Sequence, residues 1–141
     1  ACADFLSRVR SACAGLTLKV IIESGELATP DLIAQATQLA LEAGANFVKT
    51  STGKTKVSAT PAAARTMLRE IAAHGAAPVG FKASGGIRTV QEAQGYLDLV
   101  ADALGADALN PQRLRFGASG LLNDIEAVLS GKVPVASTST Y

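Results

Sequence analysis

The chain has 141 residues, of which 48% are hydrophobic and 18% charged, and its formal net charge is +1. This balance predicts one globular domain with a buried core, and it gives no general attraction to nucleic acid or to a membrane surface. Because the sequence shows neither a membrane-length apolar stretch nor a signal-peptide pattern, we expect a cytoplasmic protein in which Cys2 and Cys13 stay reduced.

The chain begins at Ala1 without a methionine, and a helix-like segment, ADFLSRVRSACAGL, follows from Ala3 to Leu16. We interpret this beginning as that of a chain cut from a longer protein. The first predicted strand is LTLKVIIE, from Leu16 to Glu23, and it is rich in β-branched residues. The regular part of the predicted fold therefore begins near Leu16.

Strand-like and helix-like segments alternate through the rest of the sequence. Three further predicted strands are NFVKTS at 46–51, PVGFKAS at 78–84 and LRFGAS at 114–119. Helix start and stop signals follow the four strands, at Thr29 and Pro30 to Gly44, Thr60 and Pro61 to Gly75, the Thr89 and Glu92 capping box to Gly105, and Ser119 onward. Alternation of strand and helix, roughly every 30 residues, predicts parallel βαβ units.

The helical spacing also predicts which apolar residues face the sheet. They are Leu32, Ile33, Ala36, Leu39, Ala40 and Ala43 in the first helix, Ala64, Met67, Leu68 and Ile71 in the second, Ala93, Leu97, Val100 and Leu104 in the third, and Leu121, Leu122, Ile125, Val128 and Leu129 in the fourth. Residues 131–141 carry no such pattern, so we expect a flexible tail.

Three predicted strands place a lysine on a common face of the sheet. Side chains alternate along a strand, so Lys19, Lys49 and Lys82 all point to one side. A doubly wound sheet has helices over both faces and would offer these lysines neither water nor partners. The lumen of a barrel, which opens at the carboxyl ends of the strands, does. This arrangement favours a barrel.

Glycine-rich loops follow the predicted strands. ASGGIRT follows the third strand and GASG the fourth, each leading into a helix, and Gly53 and Lys54 follow the second. Glycines let backbone amides approach a phosphate, and a helix amino terminus adds favourable partial charge. TIM barrels often bind phosphate in the loops after strands 7 and 8. We therefore predict that residues 1–141 are the carboxyl-terminal half of one (β/α)8 TIM-barrel domain, strands 5 to 8.

Several motifs together resemble one enzyme family. LKVIIESGEL, NFVKTSTGK, VGFKASGGIRT, RFGASGLL and the terminal STSTY resemble deoxyribose-phosphate aldolase in order and spacing, from about Ala12 to Tyr141. The resemblance implies a class I aldolase that cleaves 2-deoxy-D-ribose 5-phosphate to D-glyceraldehyde 3-phosphate and acetaldehyde, with no cofactor and no metal. It covers only the second half of a family member, and the family's catalytic aspartate lies in the other half.

The resemblance also implies roles for individual residues. Lys49 would form the Schiff base with the substrate, Lys82 would tune Lys49 and help proton transfer, and Tyr141 would assist proton abstraction from the acetaldehyde unit. The phosphate pocket would comprise Gly53, Lys54, Gly85, Gly86, Ser119 and Gly120. Two positions depart from the family pattern: Ala83 stands where proline is expected, and Gly120 often has serine as its counterpart.

Two lysines in one site have a physical use. A protonated amine cannot attack a carbonyl, and an unperturbed lysine is almost fully protonated at neutral pH. A second ammonium nearby, together with burial, disfavours the charged form and makes a neutral nucleophile available. We expect Lys19 and Glu23 in the supporting polar network of the site, with Glu23 either as a salt-bridge partner or as a solvated strand end. His74 fits an ordinary helix carboxyl terminus.

Two alternatives to the aldolase stay open. Another phosphosugar-binding barrel enzyme, such as an isomerase, would share the glycine loops but use a carboxylate base in place of paired lysines. The second alternative is a catalytically inactive half barrel that serves as an assembly module. In either case a half barrel would leave Ile21, Phe47 and the lysines exposed, with two open sheet edges. We therefore expect the missing amino-terminal half, or another copy of the chain, as a partner.

Overall fold

The computed structural model describes residues 1–132, so Tyr141 and nearly all of the predicted tail lie outside the described residues. The helices are α1 (Cys2–Ala12), α2 (Ser24–Leu27), α3 (Pro30–Glu42), α4 (Pro61–His74), α5 (Val90–Leu104) and α6 (Gly120–Leu129). The strands are β1 (Lys19–Ile21), β2 (Phe47–Lys49), β3 (Gly80–Ser84) and β4 (Leu114–Gly117), and a 3₁₀ turn spans Ala106–Ala108. Within this part of the chain no helix has the length and apolar character to cross a membrane.

The predicted helix starts at α3, α4 and α5 are confirmed. In each helix a threonine side chain accepts a hydrogen bond from a first-turn amide, and the threonines are Thr29, Thr60 and Thr89. At α5 the Glu92 carboxylate also accepts from the Thr89 amide, at 3.0 Å, which completes a capping box. These contacts are local in sequence, so the pattern of residues predicts them well.

The strands are shorter than the sequence pattern predicts. The first run, predicted from Leu16 to Glu23, pairs only over Lys19–Ile21 because β2 offers three partners, Phe47–Lys49. The chain then turns at Glu23, which has a left-handed backbone with φ of 52°, and forms the unpredicted short helix α2. The helix-like segment at the start of the chain also ends early, at Ala12.

The four strands form one parallel sheet in the order β1-β2-β3-β4. Successive helices pack on one another, α3 on α4, α4 on α5 and α5 on α6, along one side of this sheet. Sequential order with helices on one side is the arrangement of consecutive βα units in a barrel. The α/β fold with a parallel sheet is thus confirmed, and the assignment to strands 5 to 8 stays a prediction.

The core lies between the sheet and the helices. On the strands its fully buried members are Val48, Phe81 and Ala83. The predicted inner face of α4 is confirmed in full, since Ala64, Met67, Leu68 and Ile71 are all buried. Helix α4 packs between α3 and α5, so its whole apolar stripe has partners.

The predicted inner faces of α3, α5 and α6 need correction. In α3, Leu32 is exposed, and Thr37 is buried with its hydroxyl donating to the Ile33 carbonyl oxygen at 2.7 Å. In α5, Tyr96 is buried although the pattern did not select it. Of the predicted inward residues of α6 only Leu121 is buried, because among the described helices α6 packs mainly beside α5. The predicted inward residues that are exposed on α6 are Leu122, Ile125, Val128 and Leu129.

Candidate active site

The lysines predicted to share a face do so. The face of the sheet turned away from the helices, called the open face below, carries Lys19, Ile21, Phe47, Lys49, Gly80, Lys82, Arg115 and Gly117. Lys49 lies opposite Ile21 on one side and Lys82 on the other, and Lys82 lies opposite Arg115. The two predicted catalytic lysines are therefore immediate neighbours.

Lys49 and Lys82 differ in their surroundings. Lys49 is only 8% exposed, which is unusual for a lysine, whereas Lys82 is half-buried. Burial lowers the pKa of Lys82, and the charges of Lys19 and Lys49, a hydrogen bond with Lys19 and the charge of Arg115 lower it further. Burial and the neighbouring cations thus favour the neutral form of Lys82.

Gly117 makes room for the side chain of Lys82. A Cβ atom at Gly117 would lie 3.0 Å from Lys82 Cε and 2.5 Å from Ser84 Oγ. Ser84 Oγ also donates a hydrogen bond to the Gly117 carbonyl oxygen, at 3.2 Å. Gly117, which belongs both to the predicted strand LRFGAS and to the GASG motif, therefore also shapes the lysine cluster.

Glu23 takes part in a hydrogen-bonded network whose partners the sequence did not identify. Its carboxylate accepts hydrogen bonds from the Thr52 amide at 3.1 and 3.2 Å, from Thr52 Oγ1 at 2.6 Å and from Thr55 Oγ1 at 3.3 Å. Burial raises its pKa, but these hydrogen bonds and the charge of Lys49 outweigh burial and leave the pKa below its ordinary value. Glu23 thus anchors the loop after β2, and within residues 1–132 it forms hydrogen bonds to threonines and no salt bridge.

The predicted phosphate-binding glycines come together at the carboxyl ends of the strands. Gly53, Gly85 and Gly86 all have positive φ, near 80°. A Cβ atom at Gly85 would lie 2.5 Å from the Ser58 side chain and 3.6 Å from Gly53 Cα, so the loops after β2 and β3 touch. The Gly85 amide donates a hydrogen bond to the Gly117 carbonyl oxygen at 3.2 Å, and this bond connects the loop after β3 to the end of β4. At Gly86 a Cβ atom would meet open space.

The two helices that follow the glycine loops begin differently. The backbone amides before α5 already have an acceptor within the protein. Glu92 Oε2 accepts hydrogen bonds from the Arg88 and Thr89 amides at 2.7 and 3.0 Å. Helix α6 begins at Ser119, whose side chain makes no capping hydrogen bond, and Gly120 is buried just behind it. Of these two helix amino termini, that of α6 is the better placed for an anion.

Lys54 lies exposed on the loop after β2, and its backbone amide donates to Thr52 Oγ1 at 3.1 Å. Its amide therefore belongs to the same hydrogen-bonded loop that Glu23 anchors. Tyr141, the third predicted catalytic residue, lies outside the described residues. Within 1–132 no group of three or more His, Cys, Asp or Glu side chains could hold a metal ion.

Phe47 and Arg115 form a contact that the sequence pattern missed. The Phe47 ring occupies the space that a side chain at Gly80 would need, and the Arg115 guanidinium lies 4.3 Å from the ring centroid. Phe47 is consequently 4% exposed, so the expectation that it contributes exposed apolar surface is wrong. Alternation along LRFGAS puts Arg115 and Gly117 on one face, but only the register shows that this is the lysine face.

A parallel βα sheet with lysines on its open face and glycine turns at its strand ends defines the class of protein, an α/β protein of consecutive βα units with its candidate site at the carboxyl ends of the strands. The chain belongs to the DeoC/LacD family of aldolases, whose family model matches residues 1–127. The suspected relationship to deoxyribose-phosphate aldolases is thereby confirmed at the level of the family.

Solved structures of similar proteins agree with this assignment. A protein of Toxoplasma gondii ME49 assigned as a deoxyribose-phosphate aldolase matches with a TM-score of 0.83 and 25% identity, over 95% of this chain and 53% of that one. One from Coccidioides immitis, similarly assigned, has 31% identity and a TM-score of 0.69, over 88% and 45%. The tetrameric deoxyribose phosphate aldolase of Aeropyrum pernix has 26% identity and a TM-score of 0.64, over 91% and 49%. The present chain thus spans about half the length of these proteins.

Proposed function

We propose that this chain is the carboxyl-terminal half of a Schiff-base aldolase that cleaves 2-deoxy-D-ribose 5-phosphate to D-glyceraldehyde 3-phosphate and acetaldehyde. The observation that carries the proposal is the pair of neighbouring lysines on the open face, with Lys49 buried and the pKa of Lys82 lowered. Membership of an aldolase family supports it.

In this reaction the neutral amine of Lys49 attacks the aldehyde carbon of the open-chain sugar, and loss of water leaves an iminium ion. A base removes the proton of the C3 hydroxyl, the bond between C2 and C3 breaks, and its electron pair flows to the iminium nitrogen. The resulting enamine takes a proton at C2, and water then releases acetaldehyde from Lys49. Lys82 lies beside Lys49 and would exchange protons with the intermediates, and Tyr141 would assist the step at C2.

We place the phosphate of the substrate at the glycine turns. The loops after β2 and β3 touch at Gly53 and Gly85, Gly86 borders open space, and α6 begins nearby without a side-chain cap. Backbone amides in such turns, with the partial charge of a helix amino terminus, suit a dianion. The Ser119 hydroxyl and the Lys54 side chain would add further donors.

The geometry favours an aldolase over an isomerase. A phosphosugar isomerase needs a carboxylate that is free to remove a proton from carbon. Of the described carboxylates, Glu23 comes at the carboxyl end of a strand beside the lysines, and Thr52 and Thr55 already occupy its oxygens. Lys49, which is buried on the neighbouring strand β2, fits amine catalysis better than Glu23 fits proton abstraction.

We also infer that the open face faces the lumen of a complete barrel, with this chain supplying strands 5 to 8. Strands β1 and β4 are the sheet edges, and the helices cover one face alone. A second half barrel would pair both edges and enclose the lysines. Light scattering of the purified chain should therefore show an assembly, and a compact monomer with full activity would contradict this inference.

Trapping with acetaldehyde and borohydride tests the nucleophile. Reduction of the iminium should leave one ethyl group on Lys49 of the complete protein, and peptide mapping would locate it. Lys49→Met should abolish the labelling. Lys54→Met is the matched control, since Lys54 is exposed in the loop, and it should still be labelled at Lys49. An ethyl group found on Lys82 would reverse the assignment, and no labelled lysine would refute the Schiff-base mechanism.

A further inference from the structure

A cavity lies away from the open face. Its volume is about 320 Å³, and its walls come from α2, the start of α3, the loop before α4 and the first turns of α4. Its apolar lining includes Ile33, Val57 and Ala63, and no residue that lines it is charged. None of the residues that define the open face takes part, so the cavity is separate from the lysine cluster.

Ser24 lines this cavity and has an unused hydroxyl. Its side chain is almost fully buried, and within residues 1–132 its Oγ atom has no hydrogen-bond partner. Two other hydroxyls of the lining are engaged, since Thr60 Oγ1 accepts from the Ala63 amide and Thr66 Oγ1 donates to the Ala62 carbonyl oxygen. A buried hydroxyl without a hydrogen-bond partner is energetically unfavourable. A bound molecule whose oxygen atom forms a hydrogen bond with Ser24 would remove this cost.

The wall that carries Ser24 is held in a strained conformation. Glu23 and Ala28, at the two ends of α2, have φ of 52° and 61°, which non-glycine residues rarely adopt. The Ser24 amide donates to the Thr50 carbonyl oxygen at 2.8 Å, and Gly25 approaches the Val57 carbonyl so closely that any side chain would collide. Contacts on both sides therefore fix α2 with the cavity already formed.

We propose that this cavity binds a small, neutral, mainly apolar molecule with one oxygen atom, which forms a hydrogen bond with the Ser24 hydroxyl. The mainly apolar lining carries no charged side chain and so favours a neutral ligand, and the volume is at the lower end for small-molecule sites. The site is distinct from the proposed aldolase site, because neither the lysines nor Gly53, Gly85 and Gly86 line it, although Ser58 of its lining adjoins Gly85.

Cyclohexanol is a suitable probe, because it is neutral, compact and carries one hydroxyl. Its binding to the purified protein, in the assembly that the protein forms, can be followed by amide chemical shifts of Gly25, Val57 and Ala63. We expect saturable shifts at these amides. Cyclohexylammonium and cyclohexanecarboxylate, which have the same ring and a charge, should bind at least about ten-fold more weakly because the site would have to desolvate them.

Two substitutions test the location. Ala62→Leu places a larger side chain in the cavity wall and should abolish cyclohexanol binding, whereas Ala73→Leu, the same change at an exposed position of α4 outside this cavity, should leave it intact. Ser24→Ala should weaken binding by about three- to ten-fold through loss of the hydrogen bond. Shifts that do not saturate, binding unaffected by Ala62→Leu, or a crystal at saturating cyclohexanol with only water beside Ser24 would each overturn the proposal.

Discussion

The two faces of the sheet are built from the same short strands but have opposite character. On the helix-covered face Val48, Phe81 and Ala83 are fully buried. On the open face Ile21 is 40% exposed and Lys82 half-buried, and lysines crowd together. Because successive residues point to opposite faces, adjacent positions in one strand serve packing and chemistry separately. Substitutions at neighbouring residues can therefore distinguish folding from function.

The open face is itself divided along the strands. Toward the amino ends, Phe47 packs over Gly80 and beneath Arg115, which is a structural contact. One step further along the strands come Lys49 and Lys82, and beyond them the glycine turns. Along β2 the open face thus changes from a packing residue, Phe47, to the proposed nucleophile, Lys49, two residues later.

The largest difference in stability should appear between the variants Phe81→Ala and Ile21→Ala. Removal of the fully buried Phe81 ring leaves a cavity in the core and should lower the free energy of unfolding by about 3–5 kcal/mol. Ile21 has less contact to lose, so its truncation should lower that energy by less than about 1.5 kcal/mol. Urea unfolding of both variants measures the difference, and equal losses would contradict the distinction between the faces.

Gly80→Ala tests the structural part of the open face. The new methyl group would collide with the Phe47 ring, which must then move away from Arg115. We expect a loss of about 1–3 kcal/mol in the free energy of unfolding, as in other overpacked sites. Adding Phe47→Leu should recover part of this loss in the double variant. If Gly80→Ala alone costs nothing, the ring contact does not stabilise the fold.

Gly86→Val and Gly105→Val form a matched pair for the glycine turns. Both glycines have positive φ and open space at the Cβ position, so both substitutions should cost about 1–3 kcal/mol of backbone strain. Only Gly86→Val should also weaken the binding of inorganic phosphate, by about ten-fold, because Gly86 belongs to the proposed phosphate site. Calorimetric titration of both variants measures this, and equal phosphate affinities would remove Gly86 from the site.

The smallest effect should be the pH dependence of Lys82→Met. The folded-state pKa of Lys82 is below its ordinary value of 10.5, so between these two values the unfolded chain binds more protons and stability rises with pH. The penalty for charged Lys82 is therefore fully present below the folded-state pKa and disappears as pH rises to about 10.5. Solvent screening keeps it small.

Lys82→Met should consequently be more stable than the parent at pH 7, and this advantage should shrink as the pH approaches 10.5. Urea unfolding at several pH values measures the trend. Ile21→Ala, which keeps Lys82, should follow the pH dependence of the parent. An advantage that stays constant with pH would show that the charge of Lys82 is not what destabilises the open face.

The sequence by itself determined the features that depend on near neighbours in the chain. Threonine caps at Thr29, Thr60 and Thr89 define the helix starts, and the period of apolar residues defines the inner face of α4. The alternation of side chains was enough to place Lys49 and Lys82 on one face, and the glycine motifs marked the turns after the strands. Each of these features follows from rules that act within about one turn of helix or a few strand residues.

The tertiary structure decided what depends on contacts between distant segments. Strand lengths follow from pairing, so β1 stops at Ile21 although the apolar run continues. The register makes Lys49 and Lys82 neighbours and brings Arg115 over Phe47, and packing leaves most of the predicted inner face of α6 exposed. Glu23 meets Thr52 across 29 positions of the sequence. No local pattern encodes such a contact, because it forms only when βα units stack side by side.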